Sequence, residues 1–239
     1  MDEAQGSKDS VGQPSADRRV DVLDHGYVAL VDTMGDDLTP ARCARTSFNG
    51  GLEEREAEKD KRLLGYLVRN QHNTPLEFCQ VRFYMKLPLF VAAQLVRHRT
   101  ASINQVSYRY VAARDEFYLP EASRMVKRPE NMKQGSGSEV VLAPEGCRGF
   151  LEGSYRQAFA AYQILLENEL APEIARIVLP QATYTEWYWQ NDLHNTIHFL
   201  RLRLDEHAQW ETRQYAIAMR DLLLGVFPTA LEAAGLYPK

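Results

Sequence analysis

The chain is predicted to be α+β, an antiparallel sheet packed with long helices in a single domain. Three observations carry that prediction. Gln80 to Leu87 alternates, with Val81, Phe83, Met85 and Leu87 on one face, the period of a half-buried strand. Val20 to Thr33 reads as a hairpin, and an aromatic run, Ala182 to Trp189, reads as a further strand. Long helical patterns, Glu145 to Leu170 above all, are not interleaved with strands in the βαβ manner.

Each element has its own signal. Met1 to Arg19 is polar with no apolar centre, which reads as a disordered tail and not as a secretory signal. Val20, Val22 and Leu23 then precede a His25-Gly26 turn, and Tyr27 to Val31 returns. Thr39-Pro40 supplies an N-cap and a first helical residue for a helix through Ala41, Cys43 and Ala44. Glu54 to Arg69 has a charged face, with Leu63, Leu64, Tyr66, Leu67 and Val68 near its end, and is read as helix. His72-Asn73-Thr74-Pro75 breaks it.

After the alternating strand, Pro88 starts a helix carrying Phe90, Val91, Ala92 and Leu95 toward Arg97, and the following segment is expected to be irregular. Arg124 to Pro144, centred on Gln134-Gly135-Ser136-Gly137-Ser138, is expected to be a mobile surface insertion inside a domain spanning 20–239. Helices are expected over Glu145–Leu170, Pro172–Val178, Leu193–Leu204 and His207–Leu224, with a short last one from Pro228.

Composition narrows the function classes. The 239 residues are 45% hydrophobic and 25% charged, a balance that supports a real core. A net charge of −4 argues against a protein that coats nucleic acid. Cys43, Cys79 and Cys147 lack paired spacing, so neither a zinc site nor a disulfide framework is suggested, and a cytoplasmic location is expected. No apolar run approaches the roughly 20 residues of a membrane span. There is no GxGxxG, no GxxxxGK[ST] and no GxSxG, so any phosphate must be bound by side chains.

Residues 97–109 can do that. Arg97-His98-Arg99-Thr100-Ala101-Ser102-Ile103-Asn104-Gln105-Val106-Ser107-Tyr108-Arg109 holds three arginines and no acid. Guanidinium forks and short hydroxyls suit phosphate, whereas a general basic surface would use scattered lysines. The spacing Arg-His-Arg, two residues, Ser, one residue, Asn, two residues, Ser, one residue, Arg resembles the defining motif of the flavin-dependent thymidylate synthases. All seven fixed positions are filled, and the likeness extends over roughly residues 20–237.

What the resemblance implies is specific. The fold is that of the family, and the reaction is reductive methylation of dUMP to dTMP. FAD is the cofactor, 5,10-methylenetetrahydrofolate the carbon donor and NADPH the reductant. The family forms homotetramers with active sites assembled from more than one subunit; neither nucleic acid nor a membrane is a partner. Toward dUMP the resemblance implies Gln94, Leu95, Val96 and Arg97, then Gln105, Val106, Ser107, Tyr108 and Arg109, with Arg176 in Ala175–Pro180 on the phosphate. Arg203 is implied to be catalytic and to contact dUMP, stabilising charge on the uracil ring. Toward FAD it implies Ser47, His72 and Thr74, then Arg97, His98, Arg99 and Gln105, and on the last-third helix Asp192, Leu193, His194 and His198. Asp192 and His194 stand where the family more often has Asn and Arg.

Two readings from other classes stay open. A nucleic-acid module would use Arg97 to Arg109 on phosphate and stack bases on Tyr108 and Tyr110. A metal-dependent nucleotide hydrolase would use His194, His198 and His207, but position 195 is not a carboxylate and no third ligand is obvious.

Overall fold

The structure is a computed structural model that describes residues 18–48, 56–129 and 135–238. Its centre is β3 (Gln80–Pro88), whose Val81, Phe83, Met85 and Leu87 are fully buried on one face, as the alternation requires. On one side β3 pairs antiparallel with β2 (Gly26–Met34), which pairs with β1 (Arg19–Val22). On the other it pairs with β5 (Tyr184–Asp192), and β4 (Ser102–Gln105) forms the far edge, giving the antiparallel order β1-β2-β3-β5-β4. The α+β architecture expected from the sequence is the one found.

The sheet has two unlike faces. Trp187 and Trp189 of β5 join the β3 residues beneath α4 (Leu89–Leu95), α7 (Leu193–Arg203) and α8 (Trp210–Leu223) in the main core. Both indole N–H groups are buried without an acceptor among the described residues. The opposite face is polar and aromatic: Arg82 pairs with Asp32 at 2.8 Å, Tyr84 donates to Glu186 at 2.5 Å, and the Tyr84 and Tyr188 rings meet at 4.9 Å.

The hairpin turn explains its glycine. A Cβ on Gly26 would overlap the Tyr215 hydroxyl and lie 2.7 Å from the Val22 carbonyl oxygen and 2.8 Å from that of Lys86. Tyr215 in turn donates to the Lys86 carbonyl at 2.8 Å, so the turn packs directly on α8.

α1 (Thr39–Arg45), α2 (Ala57–Arg69) and α3 (Thr74–Glu77) pack together between β2 and β3 in sequence. Thr39 is not the N-cap. Leu38 holds that position and the helix begins at Thr39, while the Asp36 carboxylate accepts from the N–H groups of Leu38 and Thr39. Thr74-Pro75 opens α3, so the expected break is confined to the residues before it.

Three other expectations need adjustment. Ser102–Gln105 is not irregular: its backbone pairs with Trp187–Gln190, and Ile103 packs against the core while Ser102 and Asn104 stay exposed. The tail expected over 1–19 lies outside the described residues up to position 17, but Arg19 already pairs with Ala29, and its guanidinium sits 3.9 Å from the centre of the Tyr27 ring. Within the expected insertion 124–144, residues 130–134 lie outside the described residues; the rest carries a Val126–Val140 bridge and a Lys127 N–H to Glu139 carbonyl bond of 2.7 Å. The helix start expected at Glu54 also lies outside them.

α5 (Pro144–Glu167) and α6 (Pro172–Ala175) make a smaller second core around Tyr162 and Ala175. The C-terminal α9 (Pro228–Ala233) lies on α2, and its first turn is capped from a distance by buried Asp37, whose two oxygens accept from Thr229 N–H at 2.7 Å and Ala230 N–H at 3.1 Å. Asp37→Ala is therefore expected to lower unfolding free energy by about 1–2 kcal/mol. Urea denaturation checks this, and an unchanged midpoint would show that the cap contributes nothing.

Candidate active site

The site grows from the place where α4 stops. Val91, Ala92 and Leu95 bury one face of α4, and beyond Val96 the chain turns through bonds from Arg97 N–H to Gln94 O and from His98 N–H to Leu95 O. Leu95 is therefore a core side chain, and only its backbone can meet a ligand. Val96 is exposed. Arg97 and Arg99 are exposed and make no ion pair or side-chain hydrogen bond among the described residues.

α7 brings the second half. Leu193, Ile197, Phe199 and Leu200 anchor it in the core, which leaves His198 exposed and Arg203 half-buried at its last turn. Asp192 caps its start, accepting from the Asn195 backbone N–H at 2.8 Å and side-chain amide at 2.7 Å. The carboxylate beside the expected cofactor segment thus has a structural task. Leu193 is fully buried, donates its N–H to the Cys79 carbonyl at 2.9 Å, and is followed by half-buried His194.

Where the two halves meet, Arg203 donates from Nε to His98 Nε2 at 3.1 Å and from Nη2 to the Gln94 carbonyl at 3.1 Å. The His98 ring stands edge-on to Phe199 at 4.8 Å, with His198 at 6.5 Å. Burial first, then the charge of Arg203 and then His198, push His98 down to about 4. Burial also lowers Arg203 from its ordinary value.

Gln94 is fixed in its turn. Its Oε1 accepts from the Thr212 hydroxyl at 3.2 Å, and its amide donates to Gln209. Gln209 donates to buried Glu211 at 3.0 Å, and Glu211 also takes the Tyr118 hydroxyl at 3.2 Å and Arg124 at 3.3 Å. The stretch His207–Glu211 reads from sequence as mainly structural. Here Gln209 and His207 help line the cavity of about 440 Å³ that Gln94 and Arg203 also line. Gln209's amide partnership with Gln94 leaves no periodic trace.

The remaining residues lie elsewhere in the chain. Ser107 and Tyr108 line a separate cavity of about 470 Å³, whose walls include the 2.7 Å pair of Lys86 and Glu116. Gln105 donates to Thr185 at 3.0 Å, and Val106 N–H to the Glu186 carbonyl at 2.8 Å, so both are tied along the β5 edge. Arg109 rests against Ser107 Oγ at 3.3 Å and over the Tyr110 ring. Arg176 is exposed at the start of a 3-10 turn (Arg176–Val178) after α6. Ser47, His72 and Thr74 share a third cavity of about 630 Å³, walled by Phe48, Leu63, Tyr66 and Phe78. The three cavities have no lining residue in common.

The alternative readings lose support at this point. His207 is tied to Asp205 at 2.9 Å, and among the described residues no three His, Cys, Asp or Glu side chains converge as a metal site. Tyr108 spends its hydroxyl on the Tyr184 carbonyl, which leaves its ring half-buried and poorly placed for stacking. No helix of the described residues is long and apolar enough to cross a membrane.

Comparison with known proteins is consistent along nearly the whole chain. The family described as "Thymidylate synthase complementing protein" matches residues 29–229. A flavin-dependent thymidylate synthase of Thermus thermophilus is 45% identical over 214 residues, covering 90% of this chain and 77% of that protein. Its counterpart in Treponema denticola is 43% identical over 218 residues, covering 90% and 80%. Among solved structures, the UMP/dUMP methylase PolB of Streptomyces cacaoi, bound with 5-Br dUMP, superposes with a TM-score of 0.82 at 30% identity, covering 91% of this chain and 98% of that one.

The pairing of His98 with Arg203 has a titration signature. The folded value near 4 lies below the unfolded value of about 6.5, so on acidification the unfolded chain takes up the proton first. The contribution to stability is full above about pH 6.5 and is lost as pH falls toward 4. NMR of the imidazole should report this low titration, and Arg203→Ala should move it upward by removing the neighbouring charge. An ordinary histidine titration in the wild type would show that the ring is not held as described.

Proposed function

The chain belongs to the flavin-dependent thymidylate synthase family and is a methyltransferase, and from that premise we propose that it converts dUMP to dTMP with FAD, 5,10-methylenetetrahydrofolate and NADPH. The observation that carries the reading is Arg203, held in a cavity beside Gln94 by two neutral acceptors with no carboxylate paired to it among the described residues.

Such a cation suits a uracil ring. With its remaining N–H groups on O4, and on N3 once that nitrogen has lost its proton to solvent, Arg203 stabilises the negative charge that makes C5 nucleophilic, and partial burial strengthens the effect. Arg97, Ser107, Arg109 and Arg176 supply donors for the phosphate, none engaged with a carboxylate. Gln94 is ordered in advance by Thr212 and Gln209, so little freedom is lost when nucleotide binds.

No enzyme nucleophile is needed. Cys79 is buried, which pushes its thiol up to about 12, and burial also raises Cys43. The three thiols are unpaired, which agrees with a cytoplasmic setting.

The third cavity suits a flavin. Its apolar wall matches a flat ring system, and Ser47, His72 and Thr74 offer hydrogen bonds at its edge. Ser47, His72 and Thr74 would hold a flavin there, and the chemistry that the bound group would supply is hydride transfer, with NADPH as the source of reducing equivalents. Arg97, Arg99 and the start of α7, with His194 and His198, are the proposed further contacts, as is Gln105; Asp192 and Leu193 would contribute through the segment they order.

Separate cavities in one chain support a homotetramer in which Ser107, Arg109 and Arg176 of one subunit complete the site of another. The dTMP yield with dUMP, methylenetetrahydrofolate, NADPH and FAD, each omitted in turn under anaerobic conditions, tests the reaction; product without methylenetetrahydrofolate or without FAD rejects it. Arg203→Ala should bind FAD yet lose turnover by about 100-fold or more. Arg109→Ala should mainly weaken dUMP binding. At limiting dUMP, mixed oligomers of these two impaired variants should regain activity that neither has alone, and no recovery on subunit exchange would count against the shared site.

A further inference from the structure

Arg203 has an unusual pair of anchors. A buried arginine is ordinarily held by a carboxylate, as Arg45 is by Asp60 in this protein. Arg203 instead gives Nε to an imidazole nitrogen and Nη2 to a main-chain carbonyl, both at 3.1 Å. Neither acceptor carries charge, so the cation is oriented without being neutralised. Two of its five N–H groups are spent, which leaves Nη1 and the second proton of Nη2 for the cavity shared with Gln94 and Gln209.

The hydrogen bond dictates the state of the imidazole. Nε2 accepts, so it carries no proton, and the neutral ring must hold its proton on Nδ1. Protonation would set an N–H against an N–H and a cation against a cation. The groups facing the ring on α7 are Arg203, His198 and Phe199, of which the first two disfavour a charged ring and the third packs edge-on. Arg97 and Arg99 flank it in the chain. Among the described residues no acid meets the ring, and nothing there favours the imidazolium.

We propose that His98 is a positioning residue for Arg203: its unprotonated Nε2, together with the Gln94 carbonyl, fixes the guanidinium plane and leaves its charge undiminished for the uracil ring. This rests on the thymidylate reading and adds to it a role for the central histidine of the Arg-His-Arg triplet that needs no contact with cofactor. An acid at position 98 would also orient Arg203 but would cancel the charge that the chemistry uses. A neutral acceptor does both.

The test uses the full-length holoenzyme and two variants. His98→Ala should lower kcat by about 100-fold, the scale of losing an aligned transition-state donor, while KM for dUMP and flavin content stay near wild type. His98→Gln places an amide oxygen near the Nε2 position and should recover most of the lost turnover. Acidification toward pH 4 should depress wild-type kcat as His98 protonates, and this limb should be missing from the His98→Gln profile. Near-normal kcat in His98→Ala would overturn the proposal. So would a defect cured by saturating FAD, which would make His98 a flavin-binding group, or a His98→Gln variant as poor as alanine. Imidazole nitrogen shifts in the wild type give a readout independent of turnover: the Nδ1–H tautomer is expected, and the Nε2–H tautomer overturns the pairing. A wild-type protein that makes no dTMP sinks the thymidylate reading, and the tautomer still decides the Arg203–His98 bond.

Discussion

The burial of one face of the sheet under α4, α7 and α8 is the constraint on which the site depends. Phe83, Met85, Trp187 and Trp189 present a continuous apolar surface, and α7 can cover it in only one rotational setting, with Leu193, Ile197 and Leu200 inward. That setting puts Arg203 at the helix end on the side facing α4. The same sheet fixes α4, which leaves β3 directly through Pro88 and buries Val91 and Leu95. Gln94 and His98 reach Arg203 because both helices answer to one sheet. The geometry around Arg203 is therefore inherited from hydrophobic packing, and the polar contacts only refine it.

Much of this was legible in the sequence, for identifiable reasons. Period-two alternation in Gln80–Leu87 and helical periodicity around Leu193–Leu204 are signals that burial imposes on every residue of an element. β4 escaped because four residues with one inward side chain, Ile103, leave too short a trace. The true cap of α1 escaped because Leu38 has no capping side chain, and the Asp36 carboxylate that takes the first N–H groups lies outside the helix. At the site, motif residues could be named but not assembled. Spacing says nothing of the bonds from Arg203 to His98 and Gln94, which join positions more than a hundred residues apart. The bonds that tie Gln94 to Thr212 and Gln209 leave no trace for the same reason.

Asp192 shows how a functional segment can carry a structural residue at a conspicuous place. An acid near a phosphate-bearing ligand is electrostatically unfavourable, yet this one spends both oxygens on the first turn of α7. Its charge also lies at the helix N-terminus, where the backbone dipole stabilises it. The helix that bears Arg203 is thus secured at its far end by one ion–backbone contact and at its near end by two neutral acceptors.

The distribution of tryptophan has an optical consequence. Of three indoles in the chain, Trp187 and Trp189 sit in the apolar core, their N–H groups without an acceptor among the described residues. Trp210 lies under the Arg124 guanidinium at 4.6 Å, beside the cavity that continues from Arg203. Light emitted by the core pair is shifted to short wavelength and shielded from dissolved quenchers, so it reports the integrity of the sheet. Trp210 alone of the three faces the cavity side of the Arg203 end, so its emission is expected to respond when that space is filled. The molecule therefore carries two spectroscopic channels, one for folding and one for occupancy, that need no added dye.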